Sequence, residues 1–113
     1  MDGSDTLSRL AATIAARRNA DPATSWVAKL NARGVPVIAQ KLGEEVFETV
    51  IAALTGSHED LVGEAADTLF HLLVLLDAKG VAFTDVLAEL DRRDGIGGIA
   101  EKAGRTEPGK RSA

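Results

Sequence analysis

Apolar positions recur every three or four residues along most of this chain, and no run alternates for long enough to suggest a strand. Leu7, Leu10, Ala11 and Ile14 form one stripe, which predicts a first helix capped by Asp5 and running to about Arg18. Residues 19–24, with Pro22, break the pattern. Ser25 suits the cap of a short helix from Trp26 to Arg33, ended by Gly34. Pro36 stands where a third helix begins, and the pattern continues to about Leu54 before Thr55-Gly56 closes it. Ser57 caps a fourth helix that stops at Gly80, with Glu59 and Asp60 at the positive end of its dipole. Thr84 caps a last helix through about Arg93. The short connections predict antiparallel hairpins, hence an all-α domain with a four-helix-bundle-like core over residues 1–94. Residues 95–113 are glycine-rich and predict a partly flexible tail, pinned if anywhere around Ile96 to Lys102.

The third and fourth helices carry more than a core pattern. On the third, Lys41, Glu44, Glu45 and Glu48 share an arc opposite Leu42, Val46, Val50 and Leu54, which read as the core stripe. A solvated acidic face is one reading of that arc, but Val37 and Ile51 extend the same side in apolar residues. On the fourth, Asp60, Glu64, Asp67 and His71 fall within roughly 60° of arc. Nearly everything else there is apolar, and a helix apolar all round is expected to be buried. Glu64 and Asp67 are therefore expected on the wall of an enclosed element, where unpaired ions are heavily penalised.

Composition narrows the setting. Leu, Ala and Val dominate, Tyr is absent and aromatics make up 4%, which favours helices over strands. A net charge of −4 argues against a nucleic-acid surface. Without cysteine there is no disulfide framework, thiolate ligand or thiol nucleophile. The acidic start, Met1 to Asp5, lacks a signal-peptide core, and Leu72–Leu76 is far too short to span a membrane. The expectation is a cytoplasmic protein that binds neither nucleic acid nor membrane.

Like charges three or four positions apart on a helix repel, so their accumulation beside a core asks for a compensating cation. Pairing the two helices brings Glu44, Glu48, Glu64 and Asp67 together as oxygen ligands, a set suited to Mg²⁺ or Mn²⁺ rather than Zn²⁺. Such a metal commonly serves a phosphate-bearing substrate, with a remaining carboxylate orienting or deprotonating water. His71 reads as a donor to Asp67 or a satisfied core histidine in preference to a ligand, and Trp26 as core or interface in preference to a base-stacking platform. Lys29, Arg33 and Lys41 are cations that could meet phosphates, although isolated basic residues usually face solvent. Gly95-Ile96-Gly97-Gly98 has too few fixed features for a phosphate loop.

These residues resemble a known family. Glu44-Glu45-x-x-Glu48, fifteen residues, then Glu64-x-x-Asp67 is the pattern of the MazG-like all-α nucleoside triphosphate pyrophosphohydrolases. More specifically, Ser25-Trp26-x-x-Lys29-Leu30 before Gly34, the run from Lys41 to Ala53, Gly63 to Asp67 leading into His71–Leu76, and Asp85 to Arg93 look like phosphoribosyl-ATP pyrophosphohydrolases. The match covers nearly the whole chain. Phe70 stands where the family often has Tyr, and Gly97 where it often has Ser or Thr. A companion cyclohydrolase domain, fused in some relatives, has no counterpart.

The resemblance implies Mg²⁺-dependent hydrolysis of 1-(5-phosphoribosyl)-ATP to 1-(5-phosphoribosyl)-AMP and pyrophosphate, the second step of histidine biosynthesis. It implies metal binding by Glu44, Glu48, Glu64 and Asp67, with Glu45 and Glu48 as catalytic carboxylates and Glu45 the one that positions or activates water. Lys29 and Lys41 would contact phosphates. The superfamily pairs hairpins from two subunits, which implies a homodimer, with a tetramer as the larger alternative. Two rivals stand beside this reading: a housekeeping dNTP pyrophosphohydrolase, and a non-catalytic helical dimerisation module.

Overall fold

The computed structural model describes residues 3–94, with the side chains of residues 3 and 4 excepted. Within them the secondary structure is helical throughout: α1 (Gly3–Arg17), α2 (Trp26–Arg33), α3 (Val35–Thr55), α4 (His58–Ala78) and α5 (Phe83–Arg93). The expected tail, residues 95–113, and its anchor around Ile96 to Lys102 lie outside the described residues. The chain divides into two compact units, one ending at Phe83 and one beginning at Thr84.

Local chemistry sets most boundaries in the first unit. The Ser25 hydroxyl accepts from the Ala28 backbone N–H at 3.1 Å and caps α2. Gly34, at φ +96°, ends α2 by donating to the Leu30 and Asn31 carbonyls, and its own carbonyl accepts from Val37 and Ile38 to begin α3. One residue serves two helix ends at a dihedral that side-chain-bearing residues rarely adopt. Ser57 and Asp60 form a reciprocal capping box at the start of α4. Two expected caps are displaced: Asp5 lies inside the first turn of α1, and Thr84 inside α5, which already starts at Phe83.

The two-residue connection Gly56–Ser57 folds α3 and α4 into an antiparallel hairpin, the most extensive helix pair of the unit. α1 packs on α4, and α2 on α3. Ile14, Val27, Leu30, Ile38, Leu73 and Val74 form the buried core, with Leu7, Leu10, Phe70 and Phe83 against it. Arg18 and Asp77 make a paired contact, Nε–Oδ2 at 2.8 Å and Nη2–Oδ1 at 2.7 Å, that fixes the end of α1 to the end of α4.

The phase of α3 differs from expectation. Of its predicted core stripe Val46 is 44%, Val50 49% and Leu54 78% exposed, whereas Ile38, Glu45 and Ala52 are buried. α4 is likewise not enclosed all round, since Val62 and Leu69 are exposed. The reason is geometric: α3 has apolar residues on both sides, and the chain turns the side carrying Ile38, Glu45 and Ala52 inward.

In the second unit, Glu89 holds Arg92 (Nε at 3.0 Å, Nη2 at 2.8 Å) and Arg93 (Nε at 2.8 Å). These two guanidinium groups lower its carboxyl to about 2.

Candidate metal and nucleotide site

Carboxylate oxygens of Glu45, Glu48 and Glu64 lie within 4.8 Å of one another across the α3–α4 hairpin. Glu45 is only 7% exposed, and its Oε2 has no hydrogen-bond partner among the described residues. Leaving such an oxygen buried and unpartnered is costly, so the position asks for a cation or a proton. Burial pushes the Glu64 carboxyl up, assisted by the negative charges of Glu48, Glu45 and Asp67 and by a hydrogen bond to Glu48. Three hard oxygen donors facing one another, one of them orphaned on the buried side, fit a divalent cation such as Mg²⁺.

Two threonines fix the two helices at this level. Thr49 Oγ1 lies 2.8 Å from the carbonyl of Glu45, 3.0 Å from the carbonyl of Glu64 and 2.8 Å from Thr68 Oγ1. The Thr49 hydroxyl has one proton for the two carbonyls, and Thr68 can donate to it in return. The backbones of Glu45 and Glu64 are thus tied through one side chain. Sequence reasoning did not single out this pair, although a signal exists: each threonine follows a site glutamate by four residues, one helical turn.

Of the other expected site residues, Glu44 and Asp67 are not in the converging set. Glu44 is exposed and occupied, accepting from Gln40 Nε2 at 3.1 Å and paired with Lys41 Nζ at 3.6 Å. Asp67 is exposed rather than walled in, and acts on the set through its charge on Glu64. Lys29 is exposed on α2. His71 is buried; its Nδ1 donates to the Asp67 backbone carbonyl at 2.7 Å, and its Nε2 accepts from Trp26 Nε1 at 3.3 Å. Both ring nitrogens are used, so it is a satisfied core histidine in its Nδ1–H form.

Two clefts follow one another along α3. The first, about 290 Å³ between α2 and α3, is lined by Trp26, Arg33, Val37, Gln40, Lys41 and Glu44. The second, about 320 Å³, is lined by Glu48, Ile51, Thr55, Asp60 and Glu64 among others. Glu48 and Glu64 of the carboxylate set line the second, and Glu44, one helical turn before Glu48, lines the first.

Comparison with known proteins decides the family. Residues 7–94 match the family model described as phosphoribosyl-ATP pyrophosphohydrolase. The chain belongs to the phosphoribosyl-ATP pyrophosphohydrolase family. It is 68% identical over 101 residues to the phosphoribosyl-ATP pyrophosphatase of Erythrobacter litoralis, covering 89% of this chain and 97% of that one. The enzyme of that name from Novosphingobium aromaticivorans is 63% identical over 106 residues, 94% of this chain and 99% of its own. That of Rhizorhabdus wittichii is 66% identical over 100 residues, 88% and 94% respectively. The family match takes in all of α2, α3 and α4, so the carboxylates, the threonine pair and both clefts belong to the matched region.

Proposed function

We propose that this protein hydrolyses 1-(5-phosphoribosyl)-ATP to 1-(5-phosphoribosyl)-AMP and pyrophosphate, with Mg²⁺, as in the second step of histidine biosynthesis in the cytoplasm. The observation that carries the reading is the convergence of Glu45, Glu48 and Glu64, with an orphaned buried oxygen on Glu45, in a chain of this family. Those three residues would hold the metal, and Mn²⁺ could substitute. Bound there, the cation would neutralise triphosphate charge and favour attack on phosphorus. Asp67 and Glu44 flank the set and keep the surroundings negative, so the site binds phosphates poorly until a cation is present.

In the reaction a water oxygen adds at the α–β anhydride, that P–O–P linkage breaks, and the water's proton passes to a carboxylate. Glu45 is our candidate for orienting that water, because its buried side admits few competing waters. Lys41, at the edge of the first cleft, would meet substrate phosphate once its pairing with Glu44 relaxes, and Lys29 is a further phosphate contact.

We further infer that the working molecule is a homodimer. The support is the apolar surface that one protomer leaves open: Val46, Phe47, Val50 and Leu54 on α3, with Val62 and Leu69 on α4.

The test is pyrophosphate release from phosphoribosyl-ATP with Mg²⁺, with excess chelator, and in parallel with a panel of dNTPs. Chelator-sensitive release with preference for phosphoribosyl-ATP is expected. Release that persists in chelator would defeat the metal assignment, and faster turnover of a dNTP would defeat the substrate assignment.

A further inference from the structure

We propose that the cleft between α2 and α3 is the subsite for the phosphoribosyl end of the substrate, with Arg33 binding its 5′-phosphate. This rests on the pyrophosphohydrolase reading and names the recognition of the group that distinguishes the substrate from ATP. The reacting phosphates belong at the carboxylate set, but the phosphoribosyl phosphate lies at the other end of the molecule. It needs a positive charge of its own, beyond the reach of the metal.

Only one of the two clefts beside the carboxylates supplies that charge. The second is lined by Glu48, Asp60 and Glu64 with no basic residue, and would repel a phosphate. The first carries Arg33 and Lys41. Lys41 is paired with Glu44, whose other oxygen accepts from Gln40. The Arg33 side chain has no hydrogen bond or ion pair among the described residues, so its charge is uncommitted. A guanidinium also presents paired N–H donors that match two phosphate oxygens.

Spacing agrees. Arg33 ends α2 just before Gly34, and on α3 itself the first residue, Val35, and Glu45 are ten residues apart, about 15 Å along the axis. That is on the scale of a nucleotide, so a ligand anchored at Arg33 can present its phosphoanhydride to the carboxylates. In the same cleft Trp26 offers a ring that is 43% exposed, and its N–H is already committed to His71, so it is held in place. Val37 gives the same cleft an apolar wall.

Trp26 is the chain's sole tryptophan and lines this cleft, so its fluorescence reports occupancy without turnover. Wild type, Arg33→Met and Arg33→Lys are titrated in chelator with phosphoribosyl-AMP and with AMP, which lacks the phosphoribosyl phosphate. Wild type is expected to prefer phosphoribosyl-AMP by about tenfold or more, the scale of one charge-assisted contact. Arg33→Met should bring the two ligands within about twofold, and Arg33→Lys should restore part of the preference. Helical circular dichroism and thermal unfolding confirm that each variant is folded, with Arg33→Gln as the replacement if the Met variant is not. A preference retained without the guanidinium, or absent from wild type, overturns the subsite. Failure of the underlying reading is separately visible, as a wild-type protein that does not release pyrophosphate from phosphoribosyl-ATP.

Discussion

Glu45 shows how far burial can reassign a residue. Three glutamates sit close together on α3, and spacing alone makes Glu44 and Glu45 almost interchangeable as ligands. In the fold Glu44 is turned outward to Gln40 and Lys41, whereas Glu45 is buried with an unpartnered oxygen among like charges. Neutralising such a group costs chemistry rather than folding. Glu45→Gln and Glu64→Gln should each reduce pyrophosphate release by several orders of magnitude. Their metal-free thermal stability should be unchanged or higher, because repulsion within the set is relieved. Mg²⁺ should raise the unfolding temperature of wild type but not of either variant. Calorimetric scans with and without metal, beside the activity assay, check all three statements. They also separate an enzyme from a helical module whose acids serve only solubility, for which neither metal nor activity would respond.

At the scale of the element, the site depends on the register of α3 against α4. Thr49 touches the carbonyls of both Glu45 and Glu64, so its hydroxyl links the two helices at this level. A threonine bonding back to the carbonyl four residues earlier is common in helices; the bond across to the second helix is the part that sets register. Thr49→Val keeps the shape and removes the hydroxyl. It should lower stability by about 1–2 kcal/mol and weaken Mg²⁺ binding, while Thr49→Ser restores both. Denaturant unfolding and a metal titration check this, and full metal affinity in the Val variant would show that the register is fixed elsewhere. Helix ends were legible in the sequence wherever one side chain or one glycine decides them, as at Ser25, Gly34 and Ser57. They were less so at Asp5 and Thr84, where the helix begins one or two residues before the capping residue type.

For the whole molecule, the decisive feature is an apolar surface on α3 and α4 that the described residues leave uncovered. Phe47 is 65% and Leu54 78% exposed, and, seven residues apart, they share one side of α3. Soluble single chains rarely leave such a surface to water. Phe47→Asp and Leu54→Asp each place a charge where a dimer would bury apolar area. Either should shift a dimer towards monomer by at least about tenfold in dissociation constant, since burying one unpaired charge costs more than 1.4 kcal/mol. Sedimentation across a concentration series measures it, and a wild-type protein monomeric at all concentrations would remove the dimer from the proposal.

By itself the sequence determined the helical class, most of the helix ends and the acidic pattern that identifies the family, because each depends on residues close together in the chain. Periodicity, caps and motif spacing are all short-range properties. Which side of α3 turns inward was not among them: Leu42, Val46, Val50 and Leu54 form as good a stripe as the side carrying Glu45. Only packing against α4 decides between them, since it pairs Thr49 with the Glu64 carbonyl and leaves Val46, Val50 and Leu54 outward. The tertiary structure therefore chose which carboxylates come closest, bringing Glu45 together with Glu48 and Glu64, and placed Arg33 in a cleft with Lys41 and Glu44.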